Sequence, residues 1–365
     1  MSSDPMVLGG KLLSLLDETS VVATYKPALL MSIIDCATEA GDNDSIPVSN
    51  LAERVVELYW PQTLAYPTTG LVLSQNQGSQ AKAVREIVAY RTKTGVRSRT
   101  IPERIRQDDE WDRLIRKVEL SLAEMPIPRL QVPFEPFLYE FDWPWANDGV
   151  WRTRTYDQSS KAIGLYPGAA QALISLGPLL RPFIMRWWSE KAAALNPSVE
   201  EATSMLNFEQ FMFGRDRVAL DRIAEGLLDL QAGRCFYCED PIGKNREIDH
   251  FVPWSQSGDD GLFNLVASCA RCNNSKRSIL AGVDFLESLI DRNGAWAADL
   301  TALSAERSWP ADQSRSARIT RAAYLNSPGE RPLWLGRESD PETAPLSLVA
   351  SSIETMVNDL PGTYS

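Results

Sequence analysis

A chain of 365 residues, 44% of them hydrophobic, is long enough for two or three domains with true cores. A formal net charge of −11 argues against free, non-specific binding to nucleic acid, because phosphate contacts dominate such affinity. Five cysteines are too few for a disulfide scaffold at this length.

The start, "MSSDPMVLGGKLLSLLDE", has no basic stretch ahead of an apolar run and does not read as a secretory signal. Residues 11–38 read as helices, with "YKPALLMSIIDCATEAG" (25–41) the clearest. There Tyr25, Leu29, Ile33 and Ala37 form one stripe, Gly41 is the expected stop, and Cys36 is expected to be a small buried hydrophobe. In "IPVSNLAERVVELYWPQ" (46–62), Ser49 or Asn50 is placed to cap a helix that buries Leu51, Val55, Leu58 and Tyr59. Helix, short extended piece and helix fits a winged-helix-like element or, more simply, a helical scaffold.

Residues 82–117 carry eleven Lys or Arg against six Asp or Glu, a run suited to a phosphate backbone or to solvated helix faces. Residues 126–150 are rich in Pro and aromatics, and "PFLYEFDW" has high strand propensity. A long helix, kinked at Pro178 and Pro182, is expected over 169–194. Its apolar part, 169–188, is interrupted by Pro178, Arg181 and Pro182 and is too polar to span a bilayer, so a soluble, cytoplasmic protein with no membrane partner is expected. A further helix over 215–233 ends at Gly233, and the tail 326–365, rich in Pro, Ser, Asp and Glu, reads as mobile. No internal repeat is visible.

The chemistry concentrates in "RCFYCEDPIGKNREIDHFVPWSQSGDDGLFNLVASCARCNNSKRSIL" (234–280). Cys235-x-x-Cys238 and Cys269-x-x-Cys272 offer four thiolates in two pairs, a donor set for tetrahedral zinc with no position open to water, hence structural. The insert between the pairs holds the only histidine of the chain, His250. "REIDH" reads as a strand with Ile248 inward, "VPWSQSGDDG" as a loop, "LFNLVAS" as a second strand and "CARCNNSKRSILAG" as a turn into a helix. That order brings Asp249, His250, Asn264 and Asn273 together. Trp254 is expected to pack beneath the loop rather than stack on a base.

Asp-His-x-x-Pro, a later Asn-Leu and Cys-Asn-x-x-Lys resemble the HNH endonucleases, or ββα-metal nucleases, of the type with two Cys-x-x-Cys pairs. The wording is most similar to HNH proteins of bacterial restriction and phage-defence loci. The resemblance implies His250 as general base, an imidazole of ordinary pKa near ~6.5 being suited to take a proton from water. It implies Asp249 and Asn273 as ligands of a catalytic Mg²⁺ or Mn²⁺ through hard oxygen atoms. Asn264 would hold the loop and the base in position. The family's products carry 5′-phosphate and 3′-hydroxyl ends. Lys276, Arg271 and Arg277 lie in a window, 265–280, without an acidic residue, and are expected to contact substrate phosphate.

The expected fold class is α+β, a largely helical N-terminal region followed by a zinc-stapled HNH finger. The expected domains are 1–125 (helical), 126–204 (mixed), 205–300 (HNH) and 301–365 (extension). The function this implies is metal-dependent cleavage of DNA by a defence or restriction effector, regulated or recruited by a protein partner, since the acidic balance disfavours a free-ranging enzyme. A zinc-dependent deaminase would need His-x-Glu, and here Phe251 and Val252 follow His250. A zinc ribbon that binds DNA or protein without catalysis explains the cysteines but leaves Asp249, His250 and Asn273 without a role.

Overall fold

Every residue from Ala28 to Thr38 is buried, so one helix in the N-terminal half has no solvent face and the others pack around it. The computed structural model describes residues 5–17, 23–40, 44–132, 134–200, 204–213, 217–243, 246–325, 331–339 and 342–344. It divides into two compact units, 1–101 with 105–214, and 102–104 with 215–365. The fold is α+β, mostly helical in the first unit, with a β-hairpin and a four-cysteine cluster in the second.

The first unit contains α1 (Pro5–Asp17), α2 (Tyr25–Ala40), β1 (Ser45–Pro47), α3 (Val48–Tyr59), α4 (Lys82–Thr94), α5 (Asp109–Glu124) and α6 (Pro126–Arg129). There follow β2 (Tyr139–Glu140), α7 (Trp145–Asp148), α8 (Thr153–Asp157), β3 (Ala162–Leu165), α9 (Ala169–Ala194), α10 (Pro197–Glu200) and α11 (Met205–Phe213). The buried α2 packs on α3 and α9, α3 on α5, α5 on α4, and α6 on both α2 and α5. Ser32 and Thr38 donate to the carbonyls of Ala28 and Ile34 one turn back, which satisfies their hydroxyls inside the core. Asp35 of α2 meets Arg181 of α9 in a buried ion pair.

Several expectations for this unit change. Leu29, Ile33, Ala37 and Cys36 are buried as the stripe predicts, and Tyr25 is half-buried. Gly41 lies outside the described residues. The N-cap of α3 is Pro47, without a side-chain cap, so Ser49 and Asn50 sit inside the first turn. Proline at that point fixes the backbone and ends β1. β1 pairs antiparallel with β3, the centre of a three-stranded sheet of order β1-β3-β2. Of the stretch expected to be extended, only Tyr139–Glu140 forms a strand; Trp143 and Trp145 stack on each other instead, with ring centroids 5.2 Å apart. α9 runs unbroken through Pro178 and Pro182. The basic run 82–117 is largely matched within the unit: Lys82 pairs with Glu124, Lys93 and Arg113 with Glu110, Arg106 with Glu53 and Glu57, Arg116 with Asp157, and Lys117 with Glu86. Arg91 is buried over the Trp60 ring. Lys82, Arg85, Lys93, Arg97, Arg104, Arg113 and Lys117 are nevertheless exposed, so the run keeps cations at the surface, several of them beside a carboxylate.

The second unit contains α12 (Arg217–Leu230), β4 (Arg246–His250), α13 (Trp254–Ser257), β5 (Leu265–Cys269), α14 (Ala270–Lys276) and β6 (Leu280–Ala281). α15 (Val283–Ala295), α16 (Ala297–Arg307), α17 (Gln313–Leu325), β7 (Arg331–Trp334) and β8 (Glu342–Ala344) complete it. β4 and β5 form an antiparallel hairpin, and both faces of β5 are covered. Leu265 and Ala267 join Ile223, Leu227, Leu300 and Trp309 on one side; Val266 joins Phe251, Leu286 and Trp334 on the other. Part of the tail read as mobile is in fact ordered sheet: β7 lies parallel to β6 and antiparallel to β8, with Trp334 buried. Residues 326–330, 340–341 and 345–365 lie outside the described residues. No helix among the described residues is long and apolar enough to cross a membrane.

Asp35→Ala leaves the Arg181 guanidinium buried without its carboxylate, and the loss expected is about 3–5 kcal/mol. Denaturant unfolding of the full chain measures it; the double change of Asp35 to Leu and Arg181 to Met is expected to recover most of the loss.

Candidate active site and structural metal centre

The hairpin register fixes the site. Arg246 lies opposite Cys269 and His250 opposite Leu265, so the sulfur cluster closes one end of the hairpin and the histidine occupies the other. Four residues of antiparallel strand span about 14 Å, which keeps the sulfurs out of any chemistry at His250.

The four sulfurs of Cys235, Cys238, Cys269 and Cys272 all lie within 4.8 Å of one another. Cys238 and Cys269 sulfurs are 3.9 Å apart, too far for a disulfide. Four thiolates at about 2.3 Å from one zinc ion would be about 3.8 Å apart, so the cluster has the dimensions of a tetrahedral site. Burial pushes the Cys238 thiol up to about 11, and burial with the neighbouring Cys235 sulfur pushes Cys272 up further. At Cys269 burial acts the same way, but hydrogen bonds with Cys272 outweigh it and bring the thiol to about 7. Thiolates packed this closely would need a dication among them, a charge that zinc would supply. The first knuckle is tied to the hairpin by the Phe236 amide, which donates to the Ala267 carbonyl at 3.0 Å.

Asp249 is buried on β4, and its Oδ2 accepts from the Tyr237 hydroxyl at 2.6 Å and from the Lys276 ammonium at 3.0 Å. Burial and the adjacent Asp249 carboxylate hold the Tyr237 hydroxyl well above the ordinary phenol range, so it remains a donor. Lys276 is fully buried and also donates to the His250 carbonyl at 2.9 Å. Burial lowers its pKa against the opposing pull of Asp249. The expected phosphate contact at Lys276 is therefore corrected: its residue number suggests a helix surface, but the side chain points inward to Asp249. Arg271 and Arg277 are exposed, at the start and just past the end of α14, and remain available to solvent.

Asn273 of α14 donates through Nδ2 to Glu247, which shares its strand face with Asp249. Among the described residues neither Oδ1 of Asp249 nor Oδ1 of Asn273 accepts a hydrogen bond. Carboxylate and amide oxygens of this kind are hard donors, the type that Mg²⁺ or Mn²⁺ takes. His250 Nε2 is 2.8 Å from Asp260 Oδ1. Asp260 is itself fixed by Trp309, whose indole N–H donates to its carbonyl at 2.7 Å. Asn264 is buried and ties the loop: its Oδ1 accepts from the Val252 amide at 2.9 Å, and its Nδ2 donates to the carbonyls of Val252 and Asp259 at 3.1 and 3.0 Å. Arg292 of α15 donates to the carbonyls of Leu265 and Phe263 on either side of Asn264, at 2.6 and 3.1 Å. Trp254 is half-buried, in the short α13 that Gly258 closes with φ 63°.

Sequence reasoning did not single out Tyr237, Glu247, Asp260 or Arg292. Glu247 was legible, since it alternates with Asp249 on a strand, and so was the Asp259–Asp260 pair in the loop after the lone histidine. Tyr237 and Arg292 carried no local signal, because their partners come from other elements.

A family model described as "HNH endonuclease" matches residues 235–281, which include both cysteine pairs, β4, β5 and α14. A second model, described as "Domain of unknown function (DUF8808)", matches residues 8–209, more than half of the chain. The chain belongs to the DUF8808 family. No curated protein and no solved structure matches it. This DUF8808 protein therefore joins a helical unit of that family to an HNH endonuclease domain, whose chemistry is phosphodiester hydrolysis.

The purified DUF8808 protein is expected to carry one zinc ion per chain by elemental analysis, and Cys272→Ser is expected to lose it and unfold the HNH domain. Lys276→Met is expected to destabilise the chain by about 3–5 kcal/mol, because it strands a buried carboxylate. Arg277→Ala, at an exposed position, is expected to change stability by under about 0.5 kcal/mol.

Proposed function

We propose that this protein is a divalent-metal-dependent endonuclease that hydrolyses DNA, with His250 as general base. The Asp260–His250 contact carries the reading. With the Nε2 proton directed to Asp260, 2.8 Å away, the ring would take the tautomer whose Nδ1 has the lone pair. Nδ1 then takes a proton from water, the water oxygen attacks phosphorus, and the bond to the 3′ oxygen breaks. The 3′ oxygen takes a proton from solvent water while Nδ1 returns its proton to solvent, leaving 5′-phosphate and 3′-hydroxyl ends. Asp249 and Asn273, with Glu247 beside them, would hold the divalent ion through oxygen. When bound, that ion would supply positive charge to the phosphate and the departing oxygen. Tyr237 and Lys276 orient Asp249, and Asn264 holds the loop that follows the base. Arg271 and Arg277 are the groups on α14 suited to contact the DNA backbone.

The same reading makes the enzyme a defence or restriction effector that a protein partner recruits or activates. The support is electrostatic. The chain is acidic overall at −11, and in its most basic stretch Lys82, Lys93, Arg106, Arg113, Arg116 and Lys117 are each paired with a carboxylate. Free association with DNA is then weak at physiological salt, since it depends on phosphate contacts.

His250→Ala is expected to reduce nicking of supercoiled plasmid in Mg²⁺ by about 10²-fold or more, with zinc content and the thermal transition unchanged. Equal nicking by wild type and variant would remove His250 from the chemistry. A chain that binds DNA without cutting it under any condition would favour a zinc-ribbon binding module.

A further inference from the structure

The first unit holds a cavity of about 730 Å³ that the nuclease chemistry does not use. Pockets for small molecules span about 300–1,000 Å³. Five helices, α2 to α6, and the segments between them build this one. Tyr25 and Lys26 come from the first turn of α2, Lys82 from the start of α4, Glu124 from the end of α5, Arg129 from α6 and Trp151 from the segment after α7. A smaller lobe of about 220 Å³ shares Lys82, Glu124 and Trp151 with it, so the space is a two-lobed cleft with Trp151 where the lobes meet.

The charge of the lining runs against that of the chain. Acidic residues outnumber Lys and Arg by 48 to 37 overall, yet the main lobe has Lys26, Lys82 and Arg129 against Glu124 alone. Glu124 already pairs with Lys82. Arg129 is exposed and makes no hydrogen bond or ion pair among the described residues. It sits close enough to Tyr25 to oppose the rise that burial imposes on that hydroxyl. α4 opens onto the cleft with Ala81 as its N-cap and no side-chain cap, so the positive end of its dipole adds to the same sign. Tyr25 and Trp151 are half-buried and contribute aromatic surface to the lining.

Cations with an exposed guanidinium suit phosphate, which arginine binds through two parallel N–H groups. Aromatic rings in the same cleft suit a flat base, since every base has a π face. We propose that this cleft binds a free nucleotide, with phosphate at Arg129 and Lys26 and the base against Trp151 and Tyr25. The site is separate in sequence from the HNH domain, and its existence does not depend on the nuclease reading.

Calorimetric titration of the full-length chain, without divalent cations, tests this with ATP, GTP, CTP and UTP as probes. Adenosine, inorganic phosphate and a 5′-phosphorylated dodecanucleotide serve as comparisons. At least one triphosphate is expected to bind saturably and more tightly than adenosine or phosphate alone. Arg129→Glu, at an exposed position that should leave folding intact, is expected to weaken that binding about 10-fold or more. Trp151→Ala is expected to weaken it as well. The proposal is overturned if no triphosphate binds at about millimolar concentration, a threshold near −4 kcal/mol. It is equally overturned if Arg129→Glu binds like the wild type, or if the oligonucleotide binds and the free nucleotides do not.

Discussion

The antiparallel register of one hairpin governs the functional end of this protein. With Arg246 opposite Cys269, the sulfur cluster fixes the start of β4 and the end of β5 at once. A slip of a single residue would turn every side chain of β4 to the other face. Asp249 would then leave Lys276, and Glu247 would leave Asn273. A hairpin of five residues per strand is marginal alone. Core packing covers both faces of β5, and a zinc ion held by both knuckles would add to it in making this register the stable one.

The polar groups inside the finger form two linked sets. One gathers Tyr237, Asp249 and Lys276 between the first knuckle, β4 and α14. The other gathers His250, Asp260 and Asn264 around the loop after β4. Lys276 joins them, since its ammonium reaches both the Asp249 carboxylate and the His250 carbonyl. Buried charges survive only when paired and hydrogen-bonded. The arrangement therefore gives the Asp249 carboxylate a buried cation and a hydroxyl as partners, beside the histidine that follows it in the chain.

The sequence made the finger legible because its signals are local. Cysteine spacing, the alternation of "REIDH" and the Asn-Leu step each describe a few neighbouring residues; β4 and α14 lie where they indicate, while β5 begins only at Leu265, after a 3-10 turn at Leu262–Asn264. The exceptions have one physical origin. Lys276 looked like a surface cation because nothing near it in sequence is acidic; its partner, Asp249, is on another element. The basic run 82–117 looked unpaired for the same reason, as Glu53, Glu57, Glu124 and Asp157 lie outside it. Trp334 is buried by a strand whose partner, β6, precedes three helices. The first unit offered propensity and periodicity but no motif, so its helices were readable and its cleft was not.

The central claim is that zinc is a scaffold and a second, hard cation is the reagent. It is tested most directly by nicking assays on zinc-loaded protein freed of every other divalent ion, with Mg²⁺ then added back while bound zinc is measured in parallel. The account predicts no cleavage before Mg²⁺ and a saturable rise with it, at constant zinc content. Full cleavage by the zinc-only protein, or a rate that follows zinc occupancy and ignores Mg²⁺, would contradict it.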